Sequence, residues 1–342
     1  MRSLSSDYKP RSSFERGTLI FAILCVLGAF ARNVARKDAK YAKARKGVVR
    51  SQMLLRTEHL TKDYGRFRAL DGLTLSIAPG EVFGLLGPNG SGKTTALRLL
   101  LGFLRPTAGH AWIGEHDCWR DSVAARSQVA YLPGELRLYE NMTGRQLVRF
   151  LGELRGQKTP PELEPLARRF DIDLDRPLAQ LSSGMKRKVA LLAVLVPHAP
   201  LLIMDEPTNA LDPSMRDELL AQLRRARDQG QAVLFSSHVL TEVEQVCDRV
   251  GILQKGRLVH LQQMAELREG RRVRVQFSQP IDELPELPGL QVRDRHDSAL
   301  TLEYTGALPP LLDWLAHRPV ADLRVEPLGL APIYHRFHGA VA

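Results

Sequence analysis

Cysteine is scarce: Cys25, Cys118 and Cys247 are the only three, far apart and odd in number. That excludes a disulfide framework and points to a reducing compartment. The ten histidines are scattered. His335 and His338 share a helical spacing, but no cysteine or carboxylate cluster joins them, so a metal-site reading has no support there. Internal repeats, heptads and low-complexity tracts are missing, which excludes solenoids and long coiled coils. An uncharged apolar run of about 18 residues, the length of a membrane-crossing helix, is also missing.

Charge is lacking where a polyanion binder would carry it. The net charge is +10, but residues 1–52 hold twelve Lys/Arg against three Asp/Glu, or +9. The remaining 290 residues hold 36 against 35, or +1. The body therefore has no electrostatic footprint for nucleic acid, and no nucleic-acid partner is expected.

Residues 1–52 form a basic extension around the 14-residue run from Thr18 to Ala31. As a helix that run covers about 21 Å, against a hydrocarbon core of roughly 30 Å. Three readings stay open: a signal-peptide core with a cleavage-like Ala29-Phe30-Ala31, a marginal anchor with its basic flank in the cytoplasm, or a translation start at Met53. The organised pattern begins right after Met53, so the third is the expectation.

What is present is more informative. Gly87-Pro88-Asn89-Gly90-Ser91-Gly92-Lys93-Thr94 fits G-x-x-x-x-G-K-S/T, a loop that wraps nucleoside triphosphate phosphates. Phosphate oxygens need converging backbone N–H donors, and glycine lets the main chain approach closely with positive φ. Lys93 supplies a point charge to the β and γ phosphates, and the Thr94 hydroxyl is a magnesium ligand type. Glu81 to Leu86 reads as a buried strand entering the loop. Thr94 to Leu104 reads as an apolar helix whose dipole faces the anion.

Downstream, the apolar run Leu201 to Met204 ends in Asp205-Glu206-Pro207, which sets two carboxylates at a strand tip, where parallel sheets bind ligands. Asp205 suits the magnesium shell, and Glu206 suits the attacking water. Leu181-Ser182-Ser183-Gly184-Met185-Lys186-Arg187-Lys188 precedes a helix, with Ser182 as its N-cap and Gly184 opening backbone amides to an anion. Asn209-Ala210-Leu211-Asp212-Pro213 and Ser236-Ser237-His238 follow. From about Glu140 to Pro197 the period is helical; beyond it, strands and helices alternate up to Val250–Leu253, as in a parallel sheet flanked by helices. A third segment from about Arg271 has strands near Val273–Phe277, Leu300–Tyr304 and Leu323–Glu326. Its helices are expected near Leu308–Ala316 and ending by Phe337.

Taken in order, these elements resemble the nucleotide-binding domains of ABC transporters over about residues 53–270. Gly87–Thr94, with Thr95 next, matches Walker A, and Ser182–Gly184 resembles the signature. Leu201–Glu206 is similar to Walker B with its catalytic glutamate. Ala210–Asp212 looks like the D-loop, and His238 like the switch histidine. Tyr64, 29 residues before Lys93, matches the aromatic that stacks on adenine.

The resemblance implies an α/β fold: a P-loop NTPase core with a parallel sheet, an antiparallel β subdomain and a helical subdomain at about 135–197. A small α+β domain at 271–342 is expected after it. It also implies ATP and Mg2+, catalytic roles for Glu206, His238 and Lys93, metal contacts from Thr94 and Asp205, and a second copy completing the site through Ser182–Gly184 and Asp212. Leu132-Pro133-Gly134-Glu135-Leu136, then Leu138-Tyr139, is most similar to ATPase subunits of bacterial drug and antibiotic exporters. Their membrane permease is a separate chain, which implies a peripheral position on the cytoplasmic face of the membrane. Gly134 departs from the expected Q-loop glutamine; Glu135, water or no ligand takes that role. Ser183 and Met185 depart from the usual signature. The rival expectations are a soluble ABC ATPase outside transport, and a regulatory module with weak turnover.

Overall fold

The computed structural model describes residues 53–157, 161–281 and 283–338. The expectations for residues 1–52 lie outside the described residues, and so does the side chain of His338.

The chain begins with two long antiparallel strands, β1 (Leu55–Tyr64) and β2 (Phe67–Ile77). With β4 (Ala108–Ile113) and β5 (His116–Asp117) they form a sheet in the order β2-β1-β4-β5. A second sheet contains β3 (Val82–Leu86), β6 (Val129–Leu132), β7 (Leu201–Asp205), β8 (Ala232–Ser237), β9 (Arg249–Gln254) and β10 (Arg257–Gln263). Its order is β10-β9-β3-β8-β7-β6, parallel throughout except for β10 at one edge. The central strands β3, β7 and β8 of this sheet are buried along their whole length because both faces are covered. Successive side chains part company across it: Leu202 and Met204 join Val233 and Phe235 in one core, while Leu201 and Ile203 join Leu234, Phe83 and Leu85 in the other. The second core is closed by the helix Lys93–Leu100 and the antiparallel sheet.

The first core is closed by helices Gly144–Leu154, Leu163–Arg169, Ser183–Leu195, Pro213–Asp228 and Leu240–Val246. Their starts follow from capping chemistry. Thr143 and Gln146 form a capping box, Ser182 accepts from the Met185 amide, and Asp212 accepts from the Met215 amide with Pro213 in the first turn. Among the described residues no helix is long and apolar enough to cross a membrane.

A third sheet, β12-β13-β11-β14, is antiparallel: β11 (Arg271–Phe277), β12 (Leu290–His296), β13 (Ala299–Tyr304) and β14 (Val320–Pro327). The helix Leu308–Ala316 covers one face through Leu311 and Leu315. The last helix, Ala331–His338, leaves this sheet. Leu330 and Tyr334 enter the first core, with Ile333 and Phe337 packed against it. The spacing of Leu330, Ile333, Tyr334 and Phe337 makes one apolar stripe, which explains why the segment returns to the larger body.

Candidate functional site

Strand β3 delivers the glycine loop at its C-terminal end. Gly92 has φ of 108°, and a Cβ there would lie 2.7 Å from the Ala69 carbonyl, so no larger residue fits. The helix Lys93–Leu100 follows with no side-chain cap and no acidic residue in its first turn. Its free N–H groups and positive dipole end remain available to an anion. Ser91 is buried in the same loop, and its hydroxyl has no hydrogen-bond partner within the protein. An orphaned donor beside open amides fits a phosphate group.

Lys93 is 5% exposed and folds back into the loop, where Nζ donates to the carbonyls of Gly87 at 2.7 Å and Pro88 at 3.3 Å. The same ammonium stands 3.8 Å from Glu206 Oε1. Burial lowers its pKa, with Glu206 and Asp205 pulling the other way. Pro88, Asn89 and Gly90 are exposed at the loop crest, and Thr95 is half-buried one turn on.

Strand β7 brings up the carboxylates. Thr94 Oγ1 donates to Asp205 Oδ2 at 2.9 Å, while Ser236 Oγ donates to Asp205 Oδ1 at 2.6 Å. Thr94 and Asp205 thus present adjacent hard oxygens, a donor set that suits Mg2+. A Cβ built on Gly134 would come within 3.4 Å of Asp205 Oδ2, so this backbone runs directly beside the pair without contributing a side chain. Glu135 is exposed.

Glu206 sits just past the strand with φ of 47°, a left-handed conformation rare outside glycine. Its amide donates to Ser236 Oγ at 3.0 Å. Its carboxylate accepts from Asn209 Nδ2 at 2.7 Å and lies 3.4 Å from His238 Nδ1. Burial works to raise the Glu206 pKa, but the Asn209 hydrogen bond and the His238 and Lys93 charges hold it below the ordinary value. A carboxylate kept ionised beside a lysine and a histidine is in its acceptor form, able to take a hydrogen bond from a water and orient it.

The structure therefore brings Gly87, Lys93, Thr94, Asp205, Glu206 and His238 to one sheet edge. Other expected residues stand apart. Tyr64, 47% exposed, ends β1 with Lys62 Nζ 5.2 Å from its ring centre, leaving a ring face open. Ser182 and Ser183 are exposed at a helix start, and a Cβ on Gly184 would lie 3.0 Å from the Ala210 carbonyl. The Ser182–Gly184 segment thus packs on Ala210 of its own chain. Asp212 caps the next helix, and the Met215 amide, then the Ser214 hydroxyl, lower its pKa.

Sequence reasoning missed several polar residues. Asn209 and Ser236 hold the carboxylates, as above. Glu242, buried, accepts from Thr208 Oγ1 at 2.9 Å and Ser237 Oγ at 3.2 Å, joining the segment after Glu206 to the one before His238. Arg187 is buried on the helix Ser183–Leu195, and its guanidinium donates to main-chain carbonyls of Pro133, Gly134, Asp205 and Glu206. Its signal was available: Arg187 lies three and four residues before Ala190 and Leu191 on the buried helix face. Among the described residues no cluster of three His, Cys, Asp or Glu forms a separate metal site.

The ABC transporter family model matches residues 70–209. The linearmycin resistance ATP-binding protein LnrL of Bacillus subtilis (strain 168) is 32% identical over 212 residues, 60% of this chain and 68% of that protein. The Nod factor export ATP-binding protein I of Paraburkholderia xenovorans (strain LB400) is 37% identical over 209 residues, covering 59% of this chain and 68% of that protein. Among solved structures, an ATP-binding subunit of an ABC transporter superimposes with a TM-score of 0.59 and 31% identity, over 63% of this chain and 92% of that one.

Proposed function

The chain belongs to the family of ABC transporter ATP-binding proteins, P-loop ATPases, and from that premise we propose that it powers the export of drug-like or lipid-like molecules through a separate membrane permease. The observation that carries this reading is the meeting of loop and strand tip, with Lys93 Nζ 3.8 Å from Glu206 Oε1 and Thr94 Oγ1 2.9 Å from Asp205 Oδ2. Resistance and export are the roles named in two relatives, which supports the exporter reading. A position on the cytoplasmic face of the membrane follows from it.

The chemistry is positioning and charge stabilisation rather than covalent catalysis. Loop amides from Gly87, Asn89, Gly90, Ser91, Gly92, Lys93, Thr94 and Thr95 cradle the phosphates, Pro88 shapes the loop without an N–H of its own, and Lys93 offsets the phosphate charge. Tyr64 stacks on the adenine. Thr94 and Asp205 are the residues that would hold Mg2+, which supplies further charge neutralisation when bound. Glu206, held by Asn209, orients and deprotonates the water, and His238 approaches the γ-phosphate. Ser182 and Ser183 are exposed, so with the adjoining Gly184 they serve a second copy, with Asp212 beside the junction. Two chains packed head to tail then enclose each triphosphate, and hydrolysis opens the pair.

The test is ATP hydrolysis by the purified chain, alone and with its co-expressed membrane subunit. Stimulation by that subunit is expected. Turnover that ignores every membrane partner points to an ATPase outside transport, and no turnover at all removes the motor.

A further inference from the structure

Arg187 has no part in the phosphate chemistry, yet it is among the most deeply buried charges near it, at 3% exposure. It stands in the first turns of the helix Ser183–Leu195 and reaches two other segments. Nη1 donates to the carbonyls of Pro133 and Gly134, each at 2.9 Å. Nη2 donates to the carbonyls of Asp205, at 3.1 Å, and Glu206. Nε donates to the Pro207 carbonyl at 3.3 Å. A buried guanidinium is tolerable only when its donors are met, and here its planar fork is filled by main-chain oxygens. Burial lowers its pKa to about 10, with Asp205 and Glu206 opposing, so it stays charged at neutral pH.

Two of these acceptors are unusual. Glu206 holds a left-handed conformation immediately before a proline, where helical conformations are disfavoured. Such a residue persists only where its surroundings over-determine it. Arg187 grips the carbonyls of Asp205, Glu206 and Pro207, on both sides of that strained unit. Gly134, for its part, has only its backbone to offer the Thr94–Asp205 pair.

We infer that Arg187 is a positioning residue that ties the Glu206 turn, the Pro133–Gly134 segment and the signature helix into one unit, carrying the state of the nucleotide site to the helical subdomain. The inference rests on the ATPase reading above. In this chain the link between the sheet edge and the helix Ser183–Leu195 runs through a guanidinium anchored on carbonyls, without any side chain at position 134. The same side chain fixes how Ser182–Gly184 is offered to a second copy.

Arg187→Lys keeps the charge but loses the fork, so a single ammonium cannot serve both segments. With the full chain and Mg-ATP, the variant is expected to keep its KM within about threefold while kcat falls about tenfold or more, because misplacing a catalytic group costs rate rather than affinity. Arg187→Met should fall further. Hydrogen exchange of the wild-type chain gives an arm that needs no variant to fold. Mg-ATP should change protection of peptides spanning 132–136 and 182–188 together, and Arg187→Lys should uncouple them. A wild-type kcat in Arg187→Lys, or wild-type exchange that shifts in one segment and not the other, overturns the proposal. A chain that shifts both segments together yet never hydrolyses ATP sinks the ATPase reading and leaves the Arg187 link standing.

Discussion

Ser236 and Asp205 are neighbours across β7 and β8, and the Ser236 hydroxyl spans the site's two acidic residues. It donates to Asp205 Oδ1 at 2.6 Å and accepts from the Glu206 amide at 3.0 Å. One fully buried oxygen therefore fixes which carboxylate oxygen faces Thr94 and how the chain turns into Glu206. Ser236→Ala leaves a buried acceptor and a donor unmet, a loss of about 1–3 kcal/mol. Urea unfolding should register that loss, and the ATPase rate should fall in the same variant. An unchanged midpoint and rate would remove Ser236 from the site.

Glu206→Gln keeps the size of the side chain and removes the base. Turnover is expected to drop by about 10²–10⁴-fold, the usual contribution of a positioned general base. ATP binding should persist, and size-exclusion chromatography with ATP should reveal an accumulated dimer. Hydrolysis at the wild-type rate would reassign the base.

Lys93→Ala acts earlier. The ammonium lies inside the loop with its head on the Gly87 and Pro88 carbonyls, so its loss is expected to weaken nucleotide binding itself. Calorimetric titration with ATP separates this outcome from the turnover defect of Glu206→Gln. Equal affinity in Lys93→Ala and wild type would contradict the assignment.

The pH dependence follows from the lowered pKa of Glu206, whose ordinary value is 4.5. A carboxyl with a depressed folded-state pKa adds stability above its unfolded value and loses it as pH falls through the folded value. The acid limb of kcat/KM should therefore lie below pH 4.5. Asn209→Leu deletes the strongest of the lowering contacts, so that limb should move upward in pH. A limb that stays in place would mean Asn209 does not set the ionisation.

Leu330→Ala tests the return of the last helix. Leu330 is fully buried in the first core, so truncation should cost about 2–5 kcal/mol, read from thermal or urea melts. A near-zero change would mean the helix is not seated there.

Most of the fold was legible because its signals are dense. The apolar run Leu201–Met204 reads as a strand buried on both faces, and the glycine loop before an apolar helix leaves few alternatives. The elements that escaped lack a periodic apolar signal. β12 reads Leu-Gln-Val-Arg-Asp-Arg-His and is an edge strand exposed along most of its length, so pairing with β13 holds it, not burial. The loop, Asp205 and Glu206 were visible as types at set spacings. Arg187 was masked by its basic neighbours Lys186 and Lys188, although its helical spacing to Ala190 and Leu191 carried a signal. Only the helix geometry separates the one inward-facing member from its neighbours. Ser236, Asn209 and Glu242 escaped because hydrogen bonds between distant segments leave no local pattern.

The seating of Leu330 and Tyr334 in the same core as Val82 and Met204 bears on how the chain is made. Synthesis runs from the amino end, and domains fold as they emerge. The central sheet is thus available long before its final hydrophobic pieces are, and a nascent chain paused before residue 330 displays an uncapped oily seam. That interval is when a chaperone, or a misplaced second nascent chain, has its best opportunity to bind.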